Sequence, residues 1–201
     1  MNGFKHKKYK IVRKAINKEF SKFLYNYLIL KSNVVYNLQM DNYLPKFEED
    51  WGTFDDVMIK DTGSYCCYSD FAMEALLLKL QSKIENEIDI KLVPNYTYTR
   101  LYRTGAELHK HKDRYSCGIS ATLNLGGDEW PIFIEGVKII LKPGDIVIYD
   151  GINCEHWREK FTGEKCAQVF LHYQEVNEKS LGNVFDGRPS VGFPKAYFKK
   201  I

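Results

Sequence analysis

The sequence predicts an α+β chain in which two amphipathic helices precede an antiparallel β-structure of the jelly-roll type. Two segments before residue 91 carry apolar residues at helical spacing. From residue 92 onward, short runs rich in Val, Ile, Tyr and Thr alternate with glycine-containing turn signals. No helical pattern separates these runs. Consecutive strands should therefore pair antiparallel, as in jelly rolls of about eight strands.

The first helix is expected over Ile16 to Lys31, where residues such as Leu24 and Leu28 share one apolar face. The second should begin after Ser69, a candidate N-cap, and continue to Ile88 in a stripe of Met, Leu and Ile. Between them, Tyr36 to Tyr65 lacks a clean period and contains Pro, Gly, Asp and several aromatic residues. Ordered loops of this length are uncommon unless functional, so this one is a candidate substrate lid, and a loop packed by its own aromatic residues is the equal alternative.

The β-part should begin with a strand that turns at Gly105 and leads into a short second strand. The tail, Glu175 to Ile201, contains three glycines and two prolines and is expected to wrap the surface. The candidate strands besides the one after Gly105 are Tyr96–Tyr102, Cys117–Leu125, Pro131–Glu135, Val137–Leu141, Ile146–Tyr149, Cys154–Arg158 and Ala167–Tyr173.

The bulk composition favours one soluble, cytoplasmic domain. A chain of 201 residues has single-domain size. We expect residues 1–90 to supply helical support and the lid loop, 91–175 the β core, and 176–201 a C-terminal tail. No apolar run reaches the length of about 18 residues that crosses a bilayer, so no membrane is expected as a partner. No apolar segment with a cleavage site follows the N-terminal lysines, so we expect no secretory signal.

Charge and cysteine usage narrow the class further. The net charge of +3 is small and is concentrated in KHKKYKIVRK near the start and PKAYFKKI at the end. We interpret both as solvated ends, which does not favour nucleic acid as a partner. Five cysteines, an odd number without a C-x-x-C pair, are expected to be reduced.

The stretch YRTGAELHKHKD contains the strongest chemical signal. His111 and Asp113 lie two residues apart, so on a strand they point to the same face and can share one metal ion. The motif NCEHWRE supplies a second histidine, His156. Two imidazoles and one carboxylate on one face of an octahedron bind Fe(II) and leave positions open for a cosubstrate and O2. The hypothesis requires an early and a late strand to face each other across the mouth of a barrel.

Two alternatives stay open on the residues alone. His109 lies two residues before His111, so on a strand both side chains point to the same face. A three-histidine site of the cupin type could then form from His109, His111 and His156. We prefer the set with Asp113, because open Fe(II) sites commonly use one carboxylate. The other alternative is a noncatalytic jelly-roll binding module, for which the ligand set would have no role.

From Tyr98 to Tyr173 the chain resembles the catalytic core of the 2-oxoglutarate and Fe(II) dependent dioxygenases. The resemblance is greatest to the prolyl 4-hydroxylase-like branch and its small stand-alone relatives in phages and bacteria. The matching motifs, in chain order, are RLYRTG, HKD, LNLGGDEWPIFIE, LKPGDIVIYDG, EHW and QVFLHY.

This resemblance implies a double-stranded β-helix with the N-terminal helices packed on its major sheet. It implies that His111, Asp113 and His156 bind Fe(II), and that Tyr102 helps to hold 2-oxoglutarate. The implied activity is that of a hydroxylase, an oxidoreductase that couples oxidative decarboxylation of 2-oxoglutarate by O2 to C–H hydroxylation. Ascorbate is a candidate reductant. The substrate would be a protein or peptide side chain or a small molecule.

The family usually places a Lys or Arg about ten residues after the second histidine to pair with the distal carboxylate of 2-oxoglutarate. Here Cys166 stands at that offset. Lys165 is the first candidate for this anchor and Arg158 the second. Arg158 lies two residues beyond His156, on the same strand face, and a guanidinium can donate two parallel hydrogen bonds to a carboxylate. Arg100 shares the parity of Tyr102 and is a further candidate to line the site.

Overall fold

The computed structural model describes residues 3–45, 51–54, 56–59 and 62–194. Its helices are α1 (Gly3–Lys7), α2 (Lys18–Met40), α3 (Phe71–Ile88) and α4 (Glu178–Leu181). Short 3-10 turns cover Tyr115–Cys117 and Val184–Gly187. Its strands are β1 (Tyr9–Val12), β2 (Tyr65–Tyr68), β3 (Leu92–Arg103), β4 (Leu108–His111), β5 (Ile119–Gly127), β6 (Ile132–Ile134), β7 (Val137–Ile139), β8 (Ile146–Asp150), β9 (His156–Arg158) and β10 (Lys165–Glu175).

The strands form two antiparallel sheets that face each other. The major sheet has the order β1-β8-β5-β10-β3-β2, and the minor sheet has the order β4-β9-β6-β7. From β3 to β10 the chain passes back and forth between the sheets, which is the winding of a jelly roll. The double-stranded β-helix predicted from the sequence is therefore confirmed.

Helices α2 and α3 pack on the outer face of the major sheet, as predicted. Helix α2 begins at Asn17, whose side chain accepts a hydrogen bond from the backbone N–H of Phe20. It runs nine residues beyond the predicted end at Lys31, because its buried stripe continues through Ser32 and Val35. Helix α3 is capped by Asp70, which accepts from two backbone N–H groups, and not by Ser69 as predicted.

Strands β1 and β2 were not predicted. Strand β1 lies in the basic N-terminal segment and pairs with β8, and β2 lies at the end of the predicted lid loop and pairs with β3. Each has only four residues, so its existence depends on a distant partner rather than on a local pattern. Residues 46–50, 55 and 60–61 of the predicted loop lie outside the described part of the chain. Among the described residues, no helix is both long and apolar enough to span a membrane.

The C-terminal segment returns to α3 and is fixed there by a buried ion pair. Residues 195–201 lie outside the described part of the chain. Arg188 Nη2 lies 3.0 Å from Glu74 Oε1, and both side chains are almost fully buried. The same guanidinium donates to the carbonyls of Asn95 and Phe193, each at 2.8 Å. The predicted surface tail is thus anchored in the core as far as Phe193.

Replacing Arg188 with Met is expected to lower the free energy of unfolding by about 3–5 kcal/mol, since it leaves the Glu74 carboxylate buried without its cation. Urea unfolding monitored by circular dichroism measures this loss. Lys110→Met is the control, because Lys110 and its partner Glu155 are both about half exposed, at 54% and 50%. That control should cost less than about 1 kcal/mol. Equal losses in the two variants would contradict the structural role of Arg188.

Candidate metal centre

The two candidate histidine ligands are neighbours in the minor sheet. Strands β4 and β9 pair antiparallel, and in their register His111 lies directly opposite His156. Their ring centroids are 4.2 Å apart. They therefore meet side by side within one sheet, and not across the mouth between the sheets as expected from the sequence.

Backbone carbonyls orient both imidazoles. The Nδ1 atom of His111 lies 2.7 Å from the carbonyl oxygen of His109, and Nδ1 of His156 lies 3.1 Å from the carbonyl oxygen of Cys154. A carbonyl oxygen can only accept, so each neutral ring carries its hydrogen on Nδ1. The Nε2 atoms then keep free lone pairs, which is the form in which histidine binds a metal.

Asp113 completes the group. Its Oδ1 lies 3.8 Å from Nε2 of His111 and 3.4 Å from Nε2 of His156. Ligand atoms of all three residues lie within 4.8 Å of one another. The backbone N–H of Asp113 donates to the carbonyl of Gly151 at 2.8 Å. A Cβ atom on Gly151 would lie 2.6 Å from Asp113 Oδ2, so only glycine allows this close approach.

The electrostatics of the group favour a deprotonated donor set. Burial acts to raise the pKa of Asp113, but its interactions with His156, His172 and Ser120 outweigh burial and leave the pKa below its usual value. Burial, followed by the neighbouring His156, lowers the pKa of His111. At neutral pH the group therefore presents one carboxylate and a neutral His111 imidazole.

The structure does not bring His109 to this group. Its side chain is 81% exposed, and its Nδ1 lies 3.3 Å from Oε1 of Glu107. The three-histidine arrangement is thus not formed. The pairing of β4 with β9 is irregular between Leu108 and His111. The alternation of side chains along the sequence therefore does not predict which way His109 points.

The ligand atoms of a second group, Asp113, Cys117 and His172, also lie within 4.8 Å of one another. It is a weaker metal site. Burial raises the pKa of Cys117 to about 12, so the thiolate that a metal requires does not form at neutral pH. The Sγ atom also lies 3.0 Å from the hydroxyl of Tyr96.

A cavity of about 410 Å³ opens beside the candidate metal group. Its walls include aromatic side chains of the major sheet, Arg100, and Met58 from the described part of the predicted lid. Arg100 donates from Nε to Asp56 Oδ2 at 2.9 Å, and Tyr98 donates to the same oxygen at 3.0 Å. Arg100 lies in the wall of this cavity, but its charge is already matched by Asp56.

Tyr102 and Arg158 lie deeper in the interior. Tyr102 is fully buried, and its ring packs edge-on against Trp130 at 4.7 Å between centroids. Arg158 is 1% exposed, and its Nη1 donates to the carbonyl of Trp130. Its Nε and Nη2 have no hydrogen-bond partner among the residues that the structure describes. Burial lowers the pKa of this guanidinium.

Lys165, the first candidate for the anchor, is not placed in this interior. On β10, Cys166 points inward to the cluster of Tyr102 and Trp130, whereas Ala167 belongs to the core under the helices. Because side chains alternate, Lys165 faces the helix side with Ala167. Its Nζ lies 3.0 Å from Oε1 of the adjacent Glu164, and its side chain is 31% exposed.

Three residues of the site were missed by the sequence analysis. Ser120 donates to Asp113 Oδ2 at 2.7 Å and lies 3.0 Å from Nδ1 of His172. Asp56 accepts hydrogen bonds from Arg100 and Tyr98. His172 lies in the motif QVFLHY and shares the inward parity of Cys166 and Phe170, so alternation along β10 contained a signal for it. Asp56 and Ser120 had no comparable signal, because their partners lie far away in the chain.

His172 should make the stability of the metal-free protein depend on pH. Burial lowers its pKa from 6.5 to about 4. Between these values the unfolded chain binds more protons than the folded one, so the free energy of unfolding falls as the pH is lowered from 6.5 towards 4. At about 1.36 kcal/mol per pKa unit, the contribution reaches about 3 kcal/mol.

The measurement compares urea unfolding of wild type and His172→Phe at pH values of about 7 and 4.5. The variant has no imidazole at this position, so it should lose about 2–3 kcal/mol less stability on acidification. An identical loss in both proteins would show that His172 is not held neutral by the fold.

Comparison with solved structures agrees with this architecture, although no protein-family model matches the chain and no curated protein matches it in sequence. A prolyl-4-hydroxylase from Pseudomonas putida is similar with a TM-score of 0.54 and 15% identity, over 85% of this chain and 94% of that one. HygX from Streptomyces hygroscopicus, described with nickel, 2-oxoglutarate and hygromycin B bound, is similar with a TM-score of 0.61 and 9% identity, over 97% of this chain and 96% of that one. The epimerase SnoN of nogalamycin biosynthesis, described as non-heme and α-ketoglutarate dependent, is similar with a TM-score of 0.63 and 11% identity, over 94% of this chain and 89% of that one.

The chain has the fold of the 2-oxoglutarate and Fe(II) dependent oxygenases. The resemblance drawn from the sequence motifs is confirmed at this level. The similar structures carry different activities in their names, so the fold by itself does not identify a reaction.

Proposed function

We propose that this chain is a 2-oxoglutarate and Fe(II) dependent oxygenase, in which the helices and the β core act as one catalytic domain. The observation that carries the proposal is the convergence of His111, Asp113 and His156 within 4.8 Å, beside a cavity. Two neutral imidazoles and one carboxylate are the ligands that open Fe(II) sites commonly use. The description of HygX with nickel and 2-oxoglutarate bound supports the same class.

The residues of the interior also fit 2-oxoglutarate. The Nε and Nη2 atoms of Arg158 are buried donors without a protein acceptor, and a carboxylate would supply acceptors for both. Arg158 follows His156 by two residues on β9, a separation of about 7 Å along a strand, which suits a short dicarboxylate that also contacts the metal. We therefore propose Arg158 as the anchor, with Tyr102 beside it.

Iron and 2-oxoglutarate, when bound, supply the oxidative chemistry, in which O2 is consumed and 2-oxoglutarate is converted to succinate and CO2. The protein's own residues would hold the metal and keep its remaining positions accessible. Arg158 would orient the cosubstrate, and the aromatic walls around Tyr98 and Phe170 would exclude water from the reacting carbon.

For the reaction, we propose hydroxylation of a C–H bond on a protein or peptide side chain, such as proline, or on a small molecule. The similarity to a prolyl-4-hydroxylase supports the first substrate class, and the structure described with hygromycin B supports the second. The epimerase in the same group keeps an outcome other than hydroxylation open to experiment.

The test begins with anaerobic addition of Fe(II) and then 2-oxoglutarate to the purified protein. We expect the weak visible charge-transfer band of the chelate, and succinate after oxygen is admitted. A three-histidine metal enzyme that does not use 2-oxoglutarate would give no band and no succinate. A binding module would give neither, and it would keep its ligand binding after His156→Ala.

A further inference from the structure

A network of hydrogen bonds reaches from the candidate metal group into the major sheet. It runs from Asp113 through Ser120 to His172, with Ser120 and His172 directly opposite each other on the paired strands β5 and β10. Ser120 is fully buried and His172 is 6% exposed. Two buried polar side chains thus stand behind the carboxylate that faces the metal position.

The donor in each hydrogen bond of this network follows from counting hydrogens. Ser120 has one hydroxyl hydrogen, and its Oγ lies 2.7 Å from Asp113 Oδ2 and 3.0 Å from His172 Nδ1. The Asp113 carboxylate can only accept, and so can the carbonyl oxygen of Cys117, which lies 3.2 Å from the same Oγ. The carboxylate is charged and nearer, so the hydroxyl donates to Asp113. The contact with His172 is then a hydrogen bond from Nδ1–H to the hydroxyl oxygen, and His172 must carry its hydrogen on Nδ1.

The two oxygens of Asp113 consequently have different partners. Oδ1 faces the Nε2 atoms of His111 and His156, whereas Oδ2 accepts from Ser120. A carboxylate whose second oxygen is held in this way presents the first oxygen to a metal. Binding through one oxygen keeps one more position vacant on an octahedral ion than binding through both.

We infer that His172 is a positioning residue, which acts through Ser120 to hold Asp113 as a ligand through Oδ1 alone. This inference rests on the proposed function, since it concerns the same metal. The ring of His172 packs between the rings of Tyr96 and Phe170, whose centroids lie 4.6 and 6.4 Å from its own. The end of the network farthest from the metal position is therefore fixed.

The first experiment measures Mn(II) binding by isothermal titration calorimetry on the full chain. Outer partners of metal ligands typically contribute about 10–100-fold in affinity. We expect weakening in that range for Ser120→Ala and about 10-fold for His172→Phe, which keeps the ring packing but removes the donor. His172→Asn retains a donor close to the Nδ1 position and should restore most of the affinity.

Thr99→Val is the matched control, because it removes another fully buried strand hydroxyl, one without a hydrogen-bond partner in the described part of the chain. It should bind Mn(II) as wild type does. Water-proton relaxation of the Mn(II) complexes gives a second readout. In Ser120→Ala the freed Oδ2 should also bind the ion, so fewer exchangeable waters should remain on it than in wild type.

Nitrogen-15 NMR of histidine in the metal-free wild-type protein tests the same inference without any variant. It should show His172 as the Nδ1–H tautomer, and an Nε2–H tautomer would overturn the inference, because Ser120 would then donate to His172. Unchanged Mn(II) affinity and water count in both Ser120→Ala and His172→Phe would overturn it as well. A wild-type protein that binds no divalent metal would instead overturn the proposed function.

Discussion

Asp113→Ala is expected to abolish iron binding at neutral pH, and with it the 2-oxoglutarate-dependent formation of succinate. Asp113 supplies the only carboxylate in the group with His111 and His156. Outer partners of ligands are worth about 10–100-fold in affinity, so the loss of a ligand should exceed about 100-fold. Equilibrium dialysis with Fe(II) under anaerobic conditions measures the change.

Glu155→Ala is the control for this prediction. Glu155 precedes His156 in the chain, but its carboxylate is half exposed and lies 3.5 Å from Nζ of Lys110. Removing it changes the net charge as Asp113→Ala does while leaving the ligand group intact. If both variants kept wild-type iron affinity, Asp113 would not be a ligand.

Arg158→Gln should raise the dissociation constant for 2-oxoglutarate while the affinity for metal stays near that of wild type. Removing one partner of a buried, hydrogen-bonded charge pair costs about 2–5 kcal/mol, which corresponds to roughly 30-fold or more. The amide can still donate to the carbonyl of Trp130, so the fold should tolerate the change. Calorimetric titration of the metal-free protein with Mn(II) measures the metal affinity, and titration of the Mn(II)-loaded protein with 2-oxoglutarate measures the dissociation constant of the cosubstrate.

Lys165→Gln removes the same charge from a residue that faces the helix side of β10, so its 2-oxoglutarate affinity should equal that of wild type. The pair of variants therefore distinguishes the two anchors considered from the sequence. Weakening in Lys165→Gln with no change in Arg158→Gln would reverse the assignment of Arg158.

The elements that could be predicted well from the sequence are those with a local pattern of apolar residues. The stripe from Leu76 to Ile88 specifies α3, and the runs of β-branched residues between turns specify most of the jelly roll. His111 and Asp113 could be linked because their spacing matches the period of a strand. His156 could be added only through the resemblance of its motif and the order of the strands.

The remaining features depend on register between distant strands, which a single sequence does not display. The chain leaves β9 after Arg158 and enters β10 at Lys165, so counting residues from His156 across that loop says nothing about which face Lys165 occupies. The partner of Asp113, Ser120, and the partner of Arg100, Asp56, are likewise set by tertiary contacts. The side-chain periodicity of a strand fixes faces within one element and not between two.

An anomalous diffraction map at the iron edge shows whether His111, Asp113 and His156 hold one metal ion with free positions beside it. The crystals would be grown anaerobically with Fe(II) and 2-oxoglutarate. We expect a single iron peak about 2.0–2.2 Å from Nε2 of His111, Oδ1 of Asp113 and Nε2 of His156. We also expect electron density for a dicarboxylate between that peak and Arg158. An iron peak elsewhere in the molecule, or no peak within reach of these three atoms, would show that the three side chains do not form the metal site.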